Sequence, residues 1–189
     1  MFGSHVANVL RRLRRLCAYY GSHPQFIACS ASIANPKEHA EGLVGLPFEV
    51  VDRDGSPYGS KYFVFWNPPL ISKANDARAS ANAEATALFV HLMRSNVRSL
   101  VFTRTRRITE LIYVYARREL ASTSLADRIS PYRAGYTPED RRNIERRLFD
   151  GDLLGVVATT ALELGIDIGD LDAPVLTGYP GSIASTVLP

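Results

Sequence analysis

Val156-Val157-Ala158-Thr159-Thr160-Ala161-Leu162-Glu163-Leu164-Gly165-Ile166-Asp167-Ile168 is the stretch that decides the fold. It opens as a short apolar run, the pattern of a buried strand. Two hydroxyls follow at once, then a helix-like turn and a Gly-Ile-Asp. A strand that ends this way presents polar groups at a sheet edge. In open parallel α/β sheets, ligands bind at those carboxyl ends.

Strand and helix patterns alternate on the amino-terminal side of this stretch. Ser99–Thr103 reads as a buried strand and Arg106–Leu120 as a helix, with Ile108, Leu111, Ile112 and Tyr115 on one side. Ile129–Tyr132 is a short strand. Thr137 is an N-cap for a helix that runs to Asp150, with acids in its first turn and Gly151 as its stop. Leu153–Ala158 and Pro174–Thr177 complete the series. This rhythm predicts an α/β fold, a parallel sheet with helices on both faces.

Farther upstream the signals are more mixed. Residues 4–20 place Val6, Val9, Leu10, Leu13, Leu16, Cys17 and Tyr20 at helical spacing, and Arg11, Arg12, Arg14 and Arg15 fill most of the other face. Those arginines fit a solvated face or contacts to phosphates. Phe26–Cys29 reads as a strand. Asn35, Pro36 and Glu38 have the order of an N-cap, a first helical residue and a capping box, which predicts a short helix to Gly45. Phe48–Val51 and Tyr62–Trp66 read as strands, the second ended by Asn67-Pro68-Pro69. The Ala-rich stretch around residues 75–95 reads as a helix with Leu88, Phe89, Leu92 and Met93 inward.

The 189 residues suffice for one ordinary domain with additional material. A hydrophobic content of 46% supports a packed core. Cys17 and Cys29 lack CxxC spacing and are expected as buried thiols in a reducing compartment, with neither disulfide nor metal. No apolar run reaches membrane-spanning length and no signal peptide is visible. The net charge of +3 is unevenly spread. All 22 Lys and Arg precede Gly151 and five of the 19 acids follow it, which leaves +8 on the first 150 residues. A polyanionic partner suits that part of the chain.

The opening stretch resembles motif V of superfamily 2 nucleic-acid helicases. Leu100-Val101-Phe102-Thr103-Arg104-Thr105 resembles motif IV. Tyr132-Arg133-Ala134-Gly135, with Arg141, Arg142 and Phe149-Asp150-Gly151, resembles the conserved block between them. Arg141 and Arg142 read equally as a solvated helix face. Ser30-Ala31-Ser32 resembles motif III, and Gly178-Tyr179-Pro180-Gly181-Ser182 the loop leading towards motif VI. The phrases Leu162–Ile168, Ser130–Tyr136 and Asn67–Pro69 look most like the YprA- and MrfA-like DEAD/DEAH-box DNA helicases, relatives of the RecQ group.

The resemblance implies a RecA-like fold. Residues 1–70 would be the end of a first motor domain with its linker, and 71–189 most of the second. It implies nucleic-acid contacts at Thr103, Arg104, Thr105, Arg133, Thr159 and Thr160. It implies nucleotide-side residues Glu163, Gly165 and Asp167, and coupling between the two through Ser30 and Ser32. The partners implied are single-stranded DNA, held by its backbone, ATP, and the remainder of a longer helicase chain, with no membrane. The cofactors implied are ATP and Mg²⁺ in the intact parent, with none held tightly by this chain and no metal ligand in it. The setting implied is the cytoplasm, at the nucleoid, in DNA repair.

The chain departs from the family pattern at three places. It has no GxxxxGK[ST] phosphate loop, no Asp-Glu-x-His segment and no GRxGR segment carrying an arginine finger. The expectation is therefore an internal piece of a helicase, inactive alone and with no catalytic residue of its own. The alternatives are a non-catalytic RecA-like module that binds DNA or protein, and an unrelated Rossmann-like enzyme. Against the latter, no GxGxxG follows any strand.

Overall fold

The computed structural model describes residues 2–30, 33–53, 55, 59–159, 171–181 and 186. The chain divides into two compact units, Met1–Phe63 and Val64–Pro189.

In the first unit, α1 spans Phe2–Tyr19 and α2 spans Pro36–Val44. Arg14 Nη1 donates to the carbonyls of Val44 (2.8 Å) and Gly45 (2.9 Å), and Arg11 Nη2 to that of Gly42 (3.3 Å). The last carbonyls of a helix have no partner within it and carry the negative end of its dipole. Two of the four arginines are thus occupied in capping α2. Asn35 stands at the N-cap position of α2, but its side chain donates to Glu38 Oε2 at 2.8 Å and makes no cap bond to the backbone. Val44 is the one buried hydrophobic residue described in this unit, and Leu13 and Leu16 remain 45% and 58% exposed.

Three expected strands are absent. Phe26–Cys29, Phe48–Val51 and Tyr62–Trp66 pair with no strand among the described residues, and Ile27 is 85% exposed. Strand backbone groups are satisfied only by a neighbouring strand, so an apolar run does not form one alone. For the same reason Cys29 is exposed, where a buried thiol was expected, and Cys17 is half-buried.

The second unit opens with a hairpin, β1 (Leu70–Ser72) and β2 (Ala77–Arg78), antiparallel. The helix expected from about residue 75 therefore begins later, as α3 (Ala81–Arg94). Asp76 turns the hairpin at φ 51°, and Ala77 N–H donates to Asn75 Oδ1 at 3.3 Å. Short polar side chains tolerate that conformation.

Four strands then build the main sheet: β3 (Ser99–Thr103), β4 (Ile129–Tyr132), β5 (Gly155–Thr159) and β6 (Ala173–Leu176). Their order is β4-β5-β3-β6 and every pairing is parallel. The connections carry α4 (Arg106–Glu119), a 3-10 turn (Ser124–Asp127) and α5 (Pro138–Phe149). Alternate strand residues pack on opposite faces. Val101, Ile129 and Val157 join Phe89 and Met93 of α3 and Ile112 and Ala116 of α4. Leu100, Phe102, Tyr132, Val156 and Ala158 join Leu148 of α5. A parallel sheet covered by helices on both faces is the architecture the alternation predicts.

Gly155 has a packing reason. A Cβ there would lie 2.5 Å from Phe89 Cζ and 2.6 Å from Met93 Sδ, so α3 approaches β5 only because no side chain intervenes. The capping box at α5 is complete: Asp140 N–H donates to Thr137 Oγ1 (3.1 Å) and Thr137 N–H to Asp140 Oδ2 (3.3 Å).

Candidate nucleic-acid interface

The sheet register brings the candidate residues to one edge. Thr103 pairs with Thr159, Tyr132 with Ala158 and Phe102 with Leu176. The carboxyl ends of all four strands therefore lie side by side, where ligands bind in such sheets.

The hydroxyls at the end of β3 are not equivalent. Thr103 is 3% exposed and its Oγ1 lies 2.6 Å from Thr109 Oγ1, with a further bond to the Thr105 carbonyl at 3.2 Å. Thr105 is exposed and caps α4, its Oγ1 accepting from Ile108 N–H at 3.3 Å. Arg104 is exposed between them. This buried hydroxyl pair holds the turn that presents Arg104 and Thr105, so Thr103 sits behind the edge. Thr159 is 8% exposed at the end of β5.

Arg133 follows β4. Its Nε donates to Glu110 Oε1 of α4 at 2.5 Å, and its guanidinium carbon lies 4.9 Å from the centre of the Tyr136 ring. The hydrogen bond that Arg133 donates to Glu110 raises the Arg133 pKa above its ordinary value. Burial, then the Glu110 charge, raises the Tyr136 phenol. Deeper in, Tyr132 Oη donates to Glu145 Oε1 at 2.7 Å, and burial together with that carboxylate pushes its phenol to about 12.

Between the ends of β3 and β6 lies a cleft of about 160 Å³, lined by Phe102, Thr103, Arg104, Leu176, Thr177, Gly178 and Pro180. Thr177 Oγ1 is buried there without a hydrogen-bond partner among the described residues. Thr177 was not singled out from the sequence, although a hydroxyl directly after an apolar strand was the signal used at Thr103 and Thr159.

The other expected site residues are placed less fully. Ser30 is an exposed residue of the first unit. Ser32, Thr160, Glu163, Gly165 and Asp167 lie outside the described residues. Among the described residues, no group of three His, Cys, Asp or Glu could hold a metal ion, and no helix is long and apolar enough to cross a membrane.

Over nearly its whole length the chain is similar to proteins named as helicases. The Bacillus subtilis protein called uncharacterized ATP-dependent helicase YprA is 52% identical over 186 residues, which is 98% of this chain and 25% of YprA. The ATP-dependent helicase hrq1 of Schizosaccharomyces pombe is 43% identical over 98% of this chain and 18% of its own length. Among solved structures, the DUF1998 helicase MrfA bound to DNA and AMPPNP superposes with a TM-score of 0.90 at 50% identity, covering 99% of this chain and 26% of MrfA. The chain thus spans about a quarter or less of the length of these relatives. The profile of the helicase conserved C-terminal domain matches residues 83–187, from within α3 past β6. That match takes in more than half of the chain, and on it this protein belongs to the helicase conserved C-terminal domain family.

Proposed function

We propose that this chain is the part of an ATP-dependent DNA helicase that grips one DNA strand by its backbone and completes an ATP site between two RecA-like domains. The observation that carries the reading is the line of strand ends at one sheet edge, with Arg104, Thr105, Arg133 and Thr159 along it. Guanidinium and hydroxyl groups suit phosphates, and phosphate contacts hold a strand without reading its sequence. Further support comes from the helicase names of the relatives and from the presence of DNA and AMPPNP with MrfA.

Residues 1–70 then belong to the first motor domain with its linker, and 71–189 to the second. Thr160 joins the DNA contacts, Thr103 serves by holding Thr105, and Ser30 and Ser32 couple the nucleotide to the strand. Asp167, with Glu163 and Gly165, faces the nucleotide. ATP is the fuel in the intact parent. Magnesium would accompany it, and we assign none of its ligands within this chain. DNA repair at the nucleoid, in the cytoplasm, is the setting we infer. A non-catalytic DNA- or protein-binding module is the second reading.

The test is fluorescence anisotropy of labelled single-stranded DNA with the 189-residue chain across a salt series. The expected result is weak binding, indifferent to sequence, with log affinity falling linearly with log salt by about 0.7 per phosphate held. Salt-independent binding, or a strong preference for one base sequence, would overturn the backbone reading.

A further inference from the structure

Arg133 does not hang free at the sheet edge. Its Nε edge is occupied by Glu110 and its face lies over Tyr136, so the guanidinium is fixed from two directions. The remaining edge, with the two Nη nitrogens, is the edge that binds an oxyanion in the two-pronged manner. Arg133 and Glu110 are only 30% and 39% exposed, which limits the freedom of both.

A second guanidinium comes to the same place. The point where a Cβ would begin on Gly135 is 3.4 Å from Arg133 Nη1 and 3.9 Å from Arg106 Nη1. Gly135 has φ 109°, a conformation that L side chains rarely adopt. Glycine therefore keeps the backbone shape, and both guanidinium groups come within 4 Å of the place a side chain would begin. Arg106 is also the first residue of α4, beside backbone N–H groups that a helix leaves unpaired at its start. Two cations brought this close to one glycine repel each other, and an anion beside both relieves that cost.

We propose that Arg106 and Arg133 clamp a single phosphate of the bound DNA strand above Gly135, with Glu110 and Tyr136 as the positioning residues that aim Arg133. The inference rests on the DNA-backbone reading above and adds to it Arg106, Glu110 and Tyr136. Glu110 acts here by orientation: its negative charge opposes the phosphate, but its hydrogen bond turns the free edge of Arg133 outward. Loss of Glu110 therefore weakens binding, although a positive charge is unmasked.

The experiment uses the whole 189-residue chain with a labelled oligothymidylate, in anisotropy across a salt series. R106Q and R133Q should each weaken binding about fivefold to tenfold, and E110Q and Y136L should do so to a lesser extent. Y136F keeps the ring and should bind as the parent does. In the R106Q/R133Q double variant, the loss should be smaller than the product of the single losses. Its salt slope should fall by about 0.7, the value for one phosphate. Thermal midpoints should stay within a few degrees of the parent, which separates positioning from unfolding.

A slope falling by about 1.4 would mean two separate phosphates and end the clamp. Tighter binding by E110Q would also end it. Nitrogen-15 spectra of the arginine Nε–H groups and of the Gly135 and Thr159 backbone amides, with millimolar oligothymidylate, reach binding too weak for anisotropy. Shifts at Arg133, Arg106 and Gly135 support the clamp. Shifts at Arg104 and Thr159 alone, with R106Q and R133Q unaffected, refute the clamp and leave the DNA reading standing. No shift anywhere refutes both.

Discussion

At the residue scale, the edge of the sheet is built from hydroxyls that do two different jobs. Thr105 caps α4 through Ile108 N–H, so Thr105→Ala should cost about 1 kcal/mol in a chemical denaturation series, a typical loss for an N-cap hydroxyl. Thr103→Val removes the buried partner of Thr109 and should destabilise as well, since Thr109 Oγ1 then keeps only the Thr105 carbonyl. In the intact helicase, Thr159→Ala should lower DNA affinity and spare nucleotide binding, and Asp167→Ala should do the reverse. Separate titrations with oligonucleotide and with a nucleotide analogue check the pair, and the opposite pattern would exchange their roles. Tyr132 offers a test by pH. Its folded pKa is raised to about 12 from the ordinary 10, by burial first and then by Glu145. A proton held more tightly in the folded state stabilises fully below the unfolded value and is lost as pH climbs to the folded one. Denaturation midpoints should therefore fall between pH 10 and about 12, and Tyr132→Phe should remove that part of the fall.

At the element scale, the two units differ in what holds their backbones. β3 and β5 are buried at every position and pair with each other along their full length. The segment 26–29 has no ladder, and α1 keeps Val9, Leu13 and Leu16 largely exposed. Hydrogen exchange should accordingly show strong protection at Leu100–Phe102 and Val156–Ala158 and weak protection across residues 3–30. Equal protection in both would contradict this account. The contact of α3 with β5 is equally specific. Gly155→Ala would push a methyl to within 2.6 Å of Phe89 and Met93, and should cost about 1–3 kcal/mol as an overpacked core.

At the scale of the whole molecule, the basic and acidic parts of the chain divide the work of the proposed motor. The arginines of α4, α5 and the loop after β4 belong to the part that carries +8, and the expected nucleotide-side acids to the part with no Lys or Arg. With no phosphate loop, Asp-Glu-x-His or GRxGR segment in these 189 residues, the isolated chain should hydrolyse no ATP beyond a blank, with or without DNA. A coupled phosphate-release assay checks this, and turnover abolished by a substitution in this chain would refute it. The exposed apolar groups of α1 should also promote self-association at high concentration, readable by light scattering.

Sequence alone determined the second unit well, because its signals are local and repeated. Apolar runs of strand length, Thr137 with Asp140 and the helical stripe of α3 each report on a few adjacent residues. The order of hydroxyls after strands also carried the sheet edge. Tertiary structure decided what depends on distant partners. Phe26–Cys29 has the composition of a strand, but whether it forms one depends on a neighbour. Leu111 and Tyr115 were expected on one side of α4 with Ile108 and Ile112. In the structure Ile112 and Ala116 pack with α3, Thr109 is buried against Thr103 of β3, and Leu111 and Tyr115 stay at 37% and 49% exposure. Small residues there let the helices approach, and a count of large apolar residues misses that. Arg11 and Arg14 read as a solvated face or phosphate contacts, and Arg133 as a nucleic-acid contact. Two of them cap α2 and the third is turned by Glu110, 23 residues away in the chain, because a guanidinium takes its role from the acceptors folding brings within reach.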